Sequence, residues 1–452
     1  MAGIGWKLEE LLDRDSLASK MSVFLTGAAV TSGPWLLTTL VLVLMRISAA
    51  RSGVAGIADA ERIITIVYAG VIVLGAPVDI MLSRYAADRV YEHRRDQIAA
   101  PLRRVLAGCL ITFLALGAVA MKVAGVSMEL GIAGTVLSAV VGGQWLLLSA
   151  AGGLSSPGII LRAFAFGAPS SVIGVLLLSR PDLMGPAGYL YGFAAGQLVT
   201  LALLLWGTLQ ALPLEEDESA KIWDAFKDYW LLAAAAIAFH AGLWVDKLMV
   251  YLCAGGDLAS RYSSMAAVAW LSVVPACAYL FVTVETVFHR RFHAFYSSLH
   301  TGSSLSELET LAVEVRREVA QTLRGTAAVQ AGATLLCLLL APSVARMLDY
   351  APGSVPILRW LLVGAALQVL AVASTLLLYY FDFRQEAFIS ALVQLFTSGL
   401  LTFAIGAPSA LLGAGYAGAC ALTCITGITL LQMRMSRLLE HTFLSQPYAT
   451  ET

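Results

Sequence analysis

Runs of twenty or so apolar residues recur along the chain, at approximately 21–45, 63–83, 105–126, 132–151, 158–178, 187–210, 229–253, 263–288, 326–345, 356–381, 387–405 and 410–433. A helix needs about 20 consecutive apolar residues to cross a hydrocarbon core roughly 30 Å thick. Inside lipid each backbone N–H and C=O must find its partner within the spanning segment or within a closed barrel. Runs this long exclude a β-barrel, and their number excludes a single anchor. Only 13% of the residues are charged, against roughly 25% in a soluble domain. The pattern therefore predicts an all-α polytopic membrane protein with twelve transmembrane helices.

Basic residues fix the expected orientation, because cytoplasmic loops carry the excess of Lys and Arg. Alternating sides from the N-terminus puts 20 of the 29 Lys and Arg on one side and nine on the other. Both termini are thus expected in the cytoplasm. Ile4, Leu8, Leu11 and Leu12 recur with helical spacing ahead of the first run, which predicts an interfacial amphipathic helix over 1–20. An acidic stretch centred on Glu215, Glu216, Asp217 and Glu218 separates the two halves. The expected organisation is a six-helix bundle at 21–211, a cytoplasmic linker at 212–228, a second six-helix bundle at 229–435 and a cytoplasmic tail at 436–452. The halves also repeat a charge pattern. Asp79 precedes Arg84 by five residues, and Glu285 precedes Arg290 by five. Two joined bundles of this kind are the layout of an alternating-access transporter.

The same sequence argues against an enzyme. No charge-rich block exceeds about thirty residues, too few for a soluble catalytic domain. Neither a G-x-x-x-x-G-K phosphate loop nor a G-x-S-x-G elbow is present. The six cysteines lie in or at the ends of apolar runs and read as small core residues, so no metal and no cofactor is expected. A formal net charge of -1 gives no reason to expect nucleic acid.

Ionisable residues at membrane depth are the natural site candidates, since each costs about 2.5 to 3.5 kcal/mol at a helix centre. The seventh run holds the densest set. His240, Trp244 and Lys247 share one helical face, with Asp246 about 100° round from Lys247. They could form the wall of a substrate pathway, hydrogen-bonding hydroxyls or amides. Alternatively, Asp246 and Lys247 are a structural ion pair, with Trp244 at the interface. Asp79 with Arg84 and Glu285 with Arg290 could be gate ion pairs, or local pairs with the following loops. Pro34 and Trp35, Pro77 and Pro275 could break helices beside a cavity or simply kink them. Gln144, Gln197, Gln330, Gln368 and Gln394 could line that cavity or join helices to one another. Ser304 and Glu307 form a capping box that opens a helix with Leu308, Leu311, Val315 and Val319 on one face.

Several short motifs, in order, carry a family resemblance. They are Met1-Ala2-Gly3-Ile4-Gly5, Arg14-Asp15-Ser16, Ser32-Gly33-Pro34-Trp35, Asp88-Arg89-x-Tyr91-Glu92, Leu243-Trp244-Val245-Asp246-Lys247 and Tyr380-Phe381-Asp382-x-Arg384. Together they resemble the PelG family of exopolysaccharide transporters, within the multidrug/oligosaccharidyl-lipid/polysaccharide flippase superfamily, over the whole chain. Trp6 stands where the family pattern has Phe, which leaves the interfacial helix intact. The resemblance implies a MATE/flippase-like inverted-V of two bundles in a bacterial inner membrane. It also implies export of an amino-sugar polymer for biofilm, with a cytoplasmic glycosyltransferase and further membrane subunits as partners. It transfers no substrate-binding residues.

Two other functions fit the span count. One is a cation-coupled multidrug antiporter or lipid-linked oligosaccharide flippase of the same fold. An antiporter of that kind usually places a carboxylate in an early helix, and the first run has none between Met21 and Met45. The other is a non-transporting scaffold for a synthase, which has no need of Asp246 and Lys247 within a span.

Overall fold

The computed structural model describes residues 19, 21–25, 27–28, 35, 38–39 and 41–42, and then 57–445 apart from 155–156, 181–182, 214–221, 301, 349, 352 and 407–409. Among these residues the chain is helical, with no strand. Eleven helices are long and apolar enough to cross a membrane. Most of the first apolar run, the interfacial helix and the acidic stretch at 215–218 lie outside the described residues, as does Pro34.

The helices are α1 (Ile57–Tyr91), α2 (Ala99–Val123), α3 (Met128–Gly153), α4 (Pro157–Leu178), α5 (Gly185–Gln210), α6 (Ile222–Ala254) and α7 (Gly256–Trp270). They continue as α8 (Val274–Thr283), α9 (His289–His300), α10 (Leu305–Met347), α11 (Ser354–Tyr380), α12 (Arg384–Ile405), α13 (Leu412–Ser436) and α14 (Leu438–Ser445). A 3-10 turn, Leu271–Val273, joins α7 to α8, and a π-turn, Val284–Phe288, joins α8 to α9. The span expected at 263–288 is therefore built from several helical pieces.

One expected boundary is absent. The capped helix at Ser304 and the span at 326–345 form one continuous helix of 43 residues. Ser304 is its N-cap, its Oγ accepting from the Glu307 N–H at 3.3 Å. Gly325 lies at the junction, yet it does not end the helix. It makes room for the Tyr279 ring of α8, which a Cβ there would strike. Leu308, Val315 and Val319 are buried, so this face packs under its own helices.

The chain divides into two compact units. The first draws its described residues from Ser32–Trp244 and Gly256–Ser263. Two apolar clusters hold it together. One is centred on Ile63, Val67, Leu137, Tyr189 and Phe193, the other on Leu82, Leu102, Leu147, Ala163 and Leu204. Hydrophobic exclusion from water gives little drive inside lipid, so close backbone approach matters more. α4 and α5 show this at Gly174, where a Cβ would stand 2.6 Å from the Gly192 carbonyl oxygen. α6 bends at Tyr229 (φ -114, ψ 15), whose hydroxyl donates to Asp88 Oδ2 at the end of α1 (3.1 Å).

The second unit draws on Ala2–Thr31, Val245–Gly255 and Ser264–Thr452. Its core gathers Phe288, Phe295, Val315, Leu377, Phe381 and Leu431 from five elements. α13 packs against both α11 and α12. Gly27, from the first apolar run, fits against Ala278 and Val282 of α8. α6 contributes to both units, with His240 and Trp244 in the first and Asp246 and Lys247 in the second.

Candidate functional site

In the second unit the Asp246 carboxylate is completely buried. Lys247 reaches back along α6 to it, with Nζ 3.0 Å from Oδ1 and 3.1 Å from Oδ2. The same ammonium lies 5.3 Å from the centroid of the Tyr416 ring on α13, within the range of a cation–π contact. Lys247 keeps 14% of its side chain exposed and Asp246 none. A buried pair of this kind gains from its partner's charge but offsets a large desolvation cost. Gly364 of α11 admits the Tyr416 ring, since a Cβ at that position would stand 2.6 Å from its Cε1.

One turn along α13, the Cys420 thiol donates to Gln368 Oε1 at 3.1 Å, and Gln394 Nε2 lies 3.9 Å from its sulfur. Gln368 and Gln394 are fully buried. The arrangement joins α11, α12 and α13 by polar contacts beside the ion pair. α12 carries a longer polar line that spacing could have revealed. Glu386, Ser390, Gln394, Ser398 and Thr402 recur every four residues and are all buried. Glu386 pairs with Arg434 at 2.5 Å.

His240 and Trp244 sit in different surroundings from the pair. The His240 ring nitrogen Nδ1 bonds the Ala236 carbonyl at 2.8 Å, and its ring meets Phe239 edge-on. Trp244 is half-buried. Of the two arrangements the sequence allowed for Lys247, the ion pair with Asp246 is the contact the fold makes.

In the first unit Asp79 accepts a hydrogen bond from the Ser149 hydroxyl of α3. It lines a small recess between α1, α2 and α3, together with Cys109, Phe113 and Trp145. Arg84 lies further along α1, half-buried. Glu285 is buried in the π-turn, a form often found at functional positions. Arg290 follows on α9, where its neighbour Arg291 pairs with Glu314 of α10 at 2.6 Å. Pro77 lies inside α1, which runs on through it, whereas Pro275 opens α8 after the 3-10 turn. Trp35 is half-buried.

Three site neighbours have no local signal in the sequence. Ser149 is 70 residues from Asp79, and Tyr416 and Cys420 lie on a helix far along the chain from Lys247. α9 also carries His289 and His293 at an H-x-x-x-H spacing, ring centroids 6.2 Å apart. Among the described residues no group of three His, Cys, Asp or Glu side chains is placed to hold a metal ion.

Eleven apolar helices among the described residues, with acids and amides buried within each unit, define a multi-pass membrane protein. Its fold matches solved transporters along nearly its whole length. An inward-facing multidrug resistance MATE family transporter of the MOP superfamily is 14% identical, with a TM-score of 0.66, covering 92% of this chain and 98% of that one. An outward-facing structure of a MATE family transporter gives 16% identity and a TM-score of 0.64, covering 92% and 96%. No curated protein sequence matches the chain. Residues 1–443 match the PelG exopolysaccharide exporter family (EPS-E), and the chain belongs to that family. Its family and fold are those of transporters rather than enzymes.

Proposed function

We propose that this protein exports an amino-sugar exopolysaccharide across a bacterial inner membrane, for the biofilm matrix. The observation that carries the reading is the family match, which runs from residue 1 to residue 443 rather than over one motif. The family is one of exporters, so polymer synthesis falls to other proteins in this reading. A cytoplasmic glycosyltransferase and further membrane subunits would supply and receive the polymer. Both termini face the cytoplasm, on the strength of the uneven Lys and Arg distribution.

His240, Trp244, Asp246 and Lys247 belong to the substrate pathway in this reading, with Lys247 the charged group that keeps some exposure. Deletion of the gene in a producing strain tests the function. Secreted polymer should disappear and return with the wild-type chain. Normal secretion with a gain in drug sensitivity would instead indicate a multidrug resistance transporter, the class of the structural relatives.

A further inference from the structure

Asp79 is an expensive residue to place in an apolar span, and among the described residues no fixed cation pairs with it. Its carboxylate takes one hydrogen bond, from Ser149. Beside it the recess is walled by Val71, Val78, Phe113 and Leu146 and has room for one water molecule. Gly142 lets the Phe113 ring close one side, because a Cβ there would stand 2.8 Å from its Cγ. Trp145 also lines the recess, and its Nε1 is buried with no hydrogen-bond partner. A buried indole N–H without an acceptor asks for one. Trp145 and Asp79 line the same recess, so a water held there is the acceptor that the indole N–H lacks and a donor that the carboxylate can take.

The donor set decides what can bind. An inorganic cation such as calcium takes six or more oxygens, whereas this recess is lined by one carboxylate and an N–H that repels cations, the Ser149 hydroxyl being already donated to that carboxylate. A proton needs only the carboxylate and a water. The other titratable group lining the recess is Cys109 of α2. From α3 the neutral Trp145 lines the recess, and the neutral Ser149 bonds the carboxylate. Arg84 of α1 and Arg103 and Arg104 of α2 lie outside its lining.

We propose that Asp79 is a proton-exchange site that couples transport to a proton gradient. A proton arriving from bulk water as hydronium is relayed through the recess water: that water gives one proton to the carboxylate and takes up the incoming one, leaving a neutral acid and an intact water. The acid O–H then donates to that water, while Ser149 and Trp145 keep their bonds. Deprotonation reverses the step. The proposal rests on the transporter fold and not on the identity of the polymer.

Infrared spectra of the purified protein in lipid nanodiscs, taken across pH, test it. Wild type should show a titrating protonated-carboxyl band that Asp79→Asn lacks and Asp79→Glu retains at a shifted frequency. Trp145→Phe keeps the ring but removes the N–H, and should move the midpoint. In cells, Asp79→Asn should export without responding to collapse of the proton gradient, or not export at all, while Asp79→Glu responds as wild type does. A band that persists in Asp79→Asn, or export by that variant with wild-type sensitivity to the gradient, overturns the proposal. The spectra need no polymer, so failure of the polysaccharide reading would leave this result standing.

Discussion

The ammonium of Lys247 lies 3.0 and 3.1 Å from the two oxygens of Asp246, the residue before it on the same helix. Asp246 is fully buried, so its charge is held by Lys247 inside the second unit. Lys247→Ala should strand a buried carboxylate at a cost of roughly 3–5 kcal/mol and lower the amount of protein in the membrane. The double variant Asp246→Asn with Lys247→Met should recover abundance but not export. Wild-type abundance in both single variants would show that water, not packing, surrounds the pair.

Tyr416 and Gly364 are coupled through space. Gly364→Ala pushes a methyl group into the Tyr416 ring and should destabilise the protein by about 1–3 kcal/mol, the usual cost of overpacking. In a Tyr416→Ala background the same substitution should be nearly neutral. A thermal-unfolding double-mutant cycle in detergent measures the difference, and additive effects would contradict the contact.

The α4–α5 pair makes a harsher test of packing. A side chain at Gly192 meets the backbone of Gly174 and Val175, and no rotamer of a flexible side chain can relieve it. Gly192→Val should lower the melting temperature more than Gly332→Val, whose Cβ would enter open space. Equal shifts would mean that the two helices are not in backbone contact.

At the start of α10 the Ser304 hydroxyl accepts from the Glu307 N–H. Ser304→Ala should cost about 1 kcal/mol of local helix stability. Hydrogen exchange should quicken over the first turns of α10 and stay unchanged beyond Gly325. Unchanged exchange throughout would remove the cap from the account.

Much of this fold was legible because spans and caps are local. The apolar runs place the helices, and Ser304 with Glu307 announces a helix start three residues apart. The continuity of α10 was hidden because its polar first half and its apolar second half read as separate elements, while Gly325 between them accepts Tyr279 from another helix. The candidate sites were harder to read for the same physical reason. Spacing left Lys247 either on a face with His240 and Trp244 or paired with Asp246, and only the packing of its long side chain shows the pair. Asp79 meets Ser149 and Trp145 only through the packing of α1 on α3, which no spacing rule encodes. The polar line from Glu386 to Thr402 was visible as a period of four, yet its significance depended on finding all five residues buried.

Polymer export itself is open to one decisive measurement. In a strain producing the polymer, the intracellular and secreted fractions are quantified with and without this chain, at matched expression of the other polymer-producing proteins. Export by this protein requires polymer to vanish outside the cell when the chain is absent and to return when it is restored. Undiminished secretion without the chain would contradict that function.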